Sequence, residues 1–424
     1  MPKLKNKDYA SYFFTFLLIG LGGIPFFTSG YFWNLAIFIL AASSFAIKRH
    51  QFDKGFLTFI FLLTIVLLGQ FIIFNYISLQ TTIGIYITFI NAYLLIKLIG
   101  EKLFEAYVNI IYLLIIISFI FFIPSLLIPG FEKFLIDNIA PIFEQQSSRR
   151  GYSYNSNMII YTFNTGISKP YYDYGLEIIG GRNPSAFHEA GGLGVYAVLA
   201  FYINIILSKN LWNKKNLIFL AGIITTFSTA SYISLFVAIL SATIFLRRKS
   251  YKLVMIPLLI AIFWYSFNSL EFLGRKLDEQ YQQSLNVGYY HYGSRGRFAN
   301  FIFDMYDILN YPLTGRGVNE YTRFDDFTGF SRDTHRNNGI SDFAVKYGIP
   351  FFIFYFFGIY KTFKKLNENQ TINYKWFPLL SLSLIILLGF SQVIFQSVIF
   401  IGLSFYHLII KSNENSMALP ISDK

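Results

Sequence analysis

Apolar runs of membrane-crossing length, parted by short polar links, recur from one end of this 424-residue chain to the other. A helix rises about 1.5 Å per residue, so about 20 apolar residues cross the hydrocarbon core of a bilayer. Such runs lie near 11–29, 31–47, 55–77, 80–97 and 104–128, then near 184–208, 216–229, 231–246 and 251–268, and finally near 339–360, 376–392 and 394–410. Two long polar stretches interrupt them, 129–183 and 269–337. The pattern predicts an all-α polytopic membrane protein with about 12 transmembrane helices. It forms a single integral membrane domain over 1–424 with both termini on one side. The tightest place is 216–246, which fits two spans only if Ser228-Thr229-Ala230-Ser231 is a sharp turn.

Composition supports the membrane reading. The chain is 54% hydrophobic and 14% charged, with a mean hydropathy of +0.48, far less charge than a soluble domain carries. The opening MPKLKNKD leads into an apolar run too long for a signal-peptide core, with no small-residue cleavage site after it, so this run reads as a span. Cysteine is absent, which excludes disulfides, iron–sulfur clusters and thiol chemistry.

Charge orients the spans. The formal net charge is +12, and short cytoplasmic loops collect Lys and Arg. IKRHQFDK, SKNLWNKKN, RRKSYK and KTFKKLNENQ all fall on one side, with both termini. The long stretches are close to neutral, with 5 basic against 5 acidic residues in 129–183 and 8 against 9 in 269–337. The basic excess is therefore topogenic and calls for no nucleic acid, and it places both long loops outside. A second asymmetry is not topological. The inner side carries 18 Lys and 3 Arg, whereas the outer loops carry 10 Arg and 3 Lys. Arg grips phosphates and carboxylates through a planar fork of donors that Lys lacks. The outer loops are expected to hold an anion, with most of their arginines paired to local acids.

The stretch GGRNPSAFHEAGGLG, Gly180 to Gly194, puts ionisable residues where a span begins. Such groups mark functional positions by default. Asn183-Pro184 has the form of a helix start, with Asn as cap and Pro at the first helical position. A span beginning there would point free N–H groups and a partial positive charge outward, with Arg182 just before it. On that helix Ser185, His188, Glu189, Gly192 and Tyr196 would share one face. Ala190, Gly191, Gly192 and Gly194 would admit a close neighbour. The reading is a dock for an anionic headgroup. The plainer alternative is a capped helix with glycines for packing and Glu189 paired to a nearby Arg.

The second outer loop repeats the theme. SRGRFANFIFDMYDILNYPLTGRGVNEY carries Arg295, Arg297 and Arg316. Phe298, Phe301, Ile302, Met305, Ile308 and Leu309 recur at helical spacing among Asn300, Asp304, Asp307 and Asn310, which predicts an amphipathic interfacial helix at about 297–310. TGRG is a turn. SRDTHRNNGISDFAVKYG then re-enters the membrane with Asp333, His335, Arg336 and Asn337 just outside, and Asp342 and Lys346 are spaced to pair. Tyrosines in both loops suit stacking on sugar rings, although an aromatic belt lines any membrane interface. No phosphate loop for nucleotide hydrolysis is present, and no His, Asp and Glu cluster has metal-ligand spacing, so neither metal nor other cofactor is called for.

Five pieces follow one another in order: Arg182 ahead of His188-Glu189-Ala190, the turn at Ser228–Ser231, Arg295-Gly296-Arg297, Pro312-Leu313-Thr314-Gly315-Arg316-Gly317, and DTHRNNGISDFAVKYGIP. Over roughly 180–360 this order resembles the O-antigen polymerase (Wzy-type) family, within the O-antigen polymerase and ligase superfamily. In register with Gly348, the family's His-Asn pair falls on Asn337-Asn338, with His335 two residues earlier. The resemblance implies a glycosyltransferase of GT-C-type architecture in the cytoplasmic (inner) membrane, its site facing the periplasm or exterior. It would transfer a growing glycan from undecaprenyl pyrophosphate to a lipid-linked repeat unit. Arg182, Arg295, Arg297, Arg316 and Arg336 would bind the pyrophosphate. The base or orienting acceptor would be His335, then Glu189, then Asp333. Implied partners are undecaprenyl pyrophosphate-linked oligosaccharides, membrane lipid and a chain-length regulator protein. The alternatives are an O-antigen ligase and, in a different class, a lipid-linked oligosaccharide flippase or other transporter.

Overall fold

The computed structural model describes residues 9–28, 30–143, 155–164, 181–246, 249–269, 271–285, 296–323, 338–370, 372 and 374–411. They are almost entirely helical. In chain order the helices are α1 (Tyr9–Gly23), α2 (Pro25–Thr28), α3 (Tyr31–Ile47), α4 (Lys54–Phe74), α5 (Leu79–Ile99), α6 (Leu103–Leu127) and α7 (Phe131–Phe134). After a short antiparallel hairpin of β1 (Asn155–Asn157) and β2 (Thr162–Asn164) come α8 (Ala190–Ser208), α9 (Lys214–Ile224), α10 (Thr229–Leu246), α11 (Lys249–Ser269) and α12 (Glu271–Leu285). The chain continues through α13 (Arg297–Asn310), α14 (Glu320–Arg323), α15 (Gly339–Asn369), α16 (Phe377–Ser391) and α17 (Val398–Phe405).

Among the described residues, six helical stretches are long and apolar enough to cross a membrane: Lys54–Phe74, Leu79–Leu127, Ala190–Ser208, Thr229–Leu246, Lys252–Ser269 and Gly339–Asn369. Tyr9–Gly23, Tyr31–Ile47, Phe377–Phe390 and Val398–Leu408 are shorter apolar helices. Leu79–Leu127 is two helices, α5 and α6, parted at Gly100, whose φ of 68° is left-handed. The chain is therefore a membrane-embedded, multi-pass helical protein. Hydrocarbon offers backbone groups no partner, so a span must close its hydrogen bonds within itself, and a helix does.

The core lies around α8. Its residues from Leu193 to Ile206 are all buried, Phe201 and Tyr202 among them, and α6, α9 and α10 pack around it. Gly194 sets the α8–α10 distance, because a Cβ there would collide with the Ser231 hydroxyl. Outlying helices turn apolar side chains outward: Ile39 on α3, Phe61 and Ile72 on α4, Leu253 and Trp264 on α11.

Two expected boundaries are corrected. The span placed at 184–208 begins as a helix only at Ala190, with Glu189 as its extended N-cap residue. Asn183 uses its Oδ1 to accept the Ser185 N–H at 3.0 Å, a local turn that competes with helix initiation, and Ser185 is left-handed at φ 50°. The Asn183 Nδ2 donates to Ser118 on α6 and to Thr225, which ties the turn to neighbouring helices. Ser185, His188 and Glu189 therefore do not lie on the α8 face that Gly192 and Tyr196 occupy. In the second correction, the sharp turn is at Thr225–Ser228, where Phe227 has φ 45°, and Thr229-Ala230-Ser231 is already the first turn of α10.

α15 breaks at Gly348, which has φ 77° and ψ 164°. The backbone groups freed at Val345, Lys346 and Ile349 find other partners. Ile349 N donates to Pro312 O at 2.8 Å instead of to the Val345 carbonyl, and the Arg316 N–H takes that carbonyl at 2.7 Å. Pro350 has no N–H for the Lys346 carbonyl, which accepts from Gln70 Nε2 of α4 at 2.8 Å. Gln70 Nε2 also donates to Thr314 O at 2.7 Å. The Pro312–Gly317 turn is thus laid into the break. Gly315 and Gly348 approach so closely that a Cβ on either would collide with the other segment's backbone.

α13 is amphipathic with its polar side inward. Asn300, Asp304 and Asp307 are buried, while Phe301, Tyr306 and Leu309 are exposed. The acids face inward because their cationic partners are inside.

Candidate functional site

Among the described residues, four helix N-termini meet at the end of the bundle where the two long polar stretches join it: those of α8, α10, α15 and α17. Each is placed by a close contact. Gln392, in the non-helical link between α16 and α17, donates Nε2 to Glu189 Oε1 at 2.5 Å, just before α8 begins. A Cβ on Gly339, the first residue of α15, would collide with the carbonyl of Gln392. A Cβ on Gly22, at the end of α1, would lie 2.6 Å from Tyr196 Oη on α8 and 3.2 Å from Ile399 Cγ2 on α17. α10 abuts α8 through Ser231 and Gly194. Helix N-termini present unpaired N–H groups and partial positive charge, so their convergence favours an anion. Two non-helical segments, 181–189 and 392–397, lie side by side here, joined by the Glu189–Gln392 contact.

Arg182 sits on the rim of this convergence, half-buried, with Nε donating to the Thr226 carbonyl at 2.7 Å in the turn before α10. Next to Glu189, His188 Nε2 lies 2.6 Å from Thr28 Oγ1, and its backbone N–H donates to Gly23 O, which joins the α8 entry to the end of α1. Asn338 caps α15 by accepting from the Ile340 and Ser341 N–H groups, while its buried Nδ2 has no hydrogen-bond partner among the described residues.

Arg297 opens α13 and lines a largely apolar cavity of about 160 Å³ with Ile233, Leu277, Phe298, Leu387 and Phe390. Thr229 also lines it, three residues after the carbonyl that holds Arg182. Arg182 and Arg297 are thus both reached from the start of α10, while Glu189 is joined to the link between α16 and α17.

Arg316 lies elsewhere, in a buried charge cluster beneath α13. Its Nη1 meets Asp307 Oδ1 at 2.9 Å and its Nε donates to Thr322 O at 2.8 Å. Arg323 bridges Asp307 Oδ2 at 2.7 Å and Asp304 Oδ1 at 2.6 Å and approaches Asp342 Oδ1 at 3.5 Å. Ser341 Oγ donates to Asp304 Oδ2 at 2.5 Å, and Gln396 Nε2 to Asp342 Oδ2 at 3.2 Å. Asp342 and Lys346 do pair, at 2.6 Å, as the far edge of this network. Among the described residues, three carboxylates of this cluster face three cations. Burial by itself lowers the pKa of Arg323, but Asp304, then Asp342 and Asp307, outweigh it and raise it. Removing either sign would leave an uncompensated buried charge.

Arg295, Asp333, His335 and Arg336 lie outside the described residues. Among the described residues, no three His, Asp or Glu side chains are grouped to hold a metal ion. Sequence reasoning passed over Gln392, Gln396 and Arg323. The signal for the two glutamines was present, since they stand four apart in SQVIFQSVIF, whose other residues are apolar or serine.

Fold and site together define a membrane-embedded helical protein with an arginine-bearing junction of helix N-termini beside an apolar cavity. No family model and no curated protein matches the chain.

Proposed function

We propose that this chain polymerises lipid-linked glycan repeat units, as a glycosyltransferase of the O-antigen polymerase type with about 12 spans in the inner membrane. The arginine-bearing junction then faces the periplasm or exterior. The observation that carries the reading is the convergence of four helix N-termini on Arg182 and Glu189, with an apolar cavity under Arg297.

In the proposed reaction a hydroxyl of the acceptor unit attacks the anomeric carbon of the donor sugar. The bond from that carbon to the pyrophosphate oxygen breaks, and the leaving group departs as lipid pyrophosphate. Negative charge grows on that oxygen, where Arg182, Arg297 and the helix ends stabilise it. The apolar cavity suits a segment of isoprenoid chain. Glu189, held by Gln392, takes the hydroxyl proton, with His335 and Asp333 as the other bases. Arg295 and Arg336 complete the anion set. Arg316 is left to the scaffold, because Asp307 occupies it.

The test is the lipid-linked and surface glycan profile of cells lacking the protein. Single repeat units at the surface with no long chains support polymerisation. Long chains retained on undecaprenyl pyrophosphate identify a ligase, the same chemistry with another acceptor. Units trapped facing the cytoplasm identify a flippase and overturn the reading. In complementation, full activity of an Arg182→Lys variant would remove the bidentate role of that arginine.

A further inference from the structure

We infer that the lysine-rich end of the bundle carries a second site, which takes an anionic phospholipid. A cavity of about 230 Å³, larger than the one beside Arg297, opens there between α4, α15 and α17. Its walls are Phe59, Phe354, Phe357, Phe405 and Leu408, and Lys361 stands at its edge. The gap exists because helices that cross closely on one side diverge on the other. A Cβ on Gly358 of α15 would collide with the Ser404 carbonyl of α17, so these two helices are pinned together at that point. α4 contributes only its small residues Gly55 and Thr58 beside Phe59, and both small residues are exposed.

The charge at the edge selects the occupant. Lys361 is exposed and has no carboxylate partner among the described residues; its Nζ lies over the Phe357 ring at 4.5 Å from the centroid. Lys364 and Lys365 follow it, and Lys365 Nζ donates to the Ile410 carbonyl. Of the acids at this end, Asp53 is held by Lys97 at 2.7 Å, and Glu101 Oε1 accepts from the Lys411 N–H at 3.4 Å. The remaining field is positive, over an apolar cleft between membrane helices. Basic pockets of this kind take the phosphate of a lipid headgroup, and the aromatic walls take its acyl chain. Phe357, in the cleft wall, is 48% exposed, so the cleft is open at its side. The site is remote in sequence from Arg182, Glu189 and Arg297, and it does not depend on the glycan reading.

The test uses the full chain purified in phosphatidylcholine nanodiscs and titrated with phosphatidylglycerol, reading the unfolding temperature. Phosphatidylglycerol should raise it above the value in phosphatidylcholine alone. Lys361→Gln should abolish that preference, and Thr58→Phe, which fills the cleft, should reduce it. Equal unfolding temperatures in the two lipids, or a preference intact in Lys361→Gln, overturn the proposal. If either variant fails to fold, a photoreactive benzophenone amino acid at Phe357 of the otherwise unaltered chain decides in membranes. A cross-link to phospholipid supports the site, and a cross-link to a second copy or to another protein overturns it.

Discussion

Gln70 supplies to the Lys346 carbonyl the hydrogen bond that Pro350 cannot, across from α4 to α15, at 2.8 Å. The same amide holds Thr314 O at 2.7 Å, so one side chain fastens both the break in α15 and the turn laid into it. Gln70→Leu should leave two half-buried carbonyls without that donor and cost roughly 1–3 kcal/mol. Unfolding in detergent measures this, and a wild-type midpoint would show that water serves those carbonyls instead.

Arg323 stands between three carboxylates. Arg323→Met should cost about 3–5 kcal/mol, because it strands buried negative charge. Adding Asp304→Asn should recover part of that loss, since the two residues are in contact. Arg323→Lys should fall between, as an ammonium cannot fork across two acids. Equal, additive losses in the double variant would argue that the cluster does not act as a unit.

Glu189 is the candidate base that the described residues place at the helix ends. Glu189→Gln should lower long-chain glycan formation by about 100-fold or more, the usual scale of general-base loss. Gln392→Ala should lower it less, by about tenfold, the loss of one hydrogen bond to a charged partner. Chain-length profiles in complemented cells distinguish these outcomes. An unaffected Glu189→Gln strain would shift the base to His335 or Asp333.

Gly194 and Ser231 fix how closely α8 and α10 approach. Gly194→Ala should destabilise by about 1–3 kcal/mol through overpacking. Ser231→Gly in the same chain should restore most of it by removing the opposing side chain. Thermal unfolding of the single and double variants gives the coupling directly.

Glu132, on α7 outside the spans, has a pKa raised by burial from its usual value of 4.5. The native state therefore holds this proton to higher pH than the unfolded chain does. The stability this group contributes is full below about pH 4.5 and is lost as pH rises through the folded value. Glu132→Gln should accordingly stabilise the protein at neutral pH, with the gain fading in acid. A gain independent of pH would assign the effect to packing.

By itself the sequence determined that this is a helical membrane protein, because hydropathy and the 3.6-residue period are local properties of a chain segment. Tyr31–Ile47 could be bounded from its apolar run alone, and Asp342 with Lys346 from their spacing on a helix. Tertiary structure decided what each polar group meets. Asn183-Pro184 is compatible with a helix start or a local turn, and Ser118 and Thr225, from other helices, hold the turn. Arg297 and Arg316 look alike in the sequence, yet one lines an apolar cavity and the other is paired with Asp307. The polar side of α13 reads as solvent-facing until Arg316, Arg323 and Ser341 are seen to satisfy it from within. A buried polar group takes its partner from wherever the fold brings one, often hundreds of residues away, and no local pattern encodes that choice.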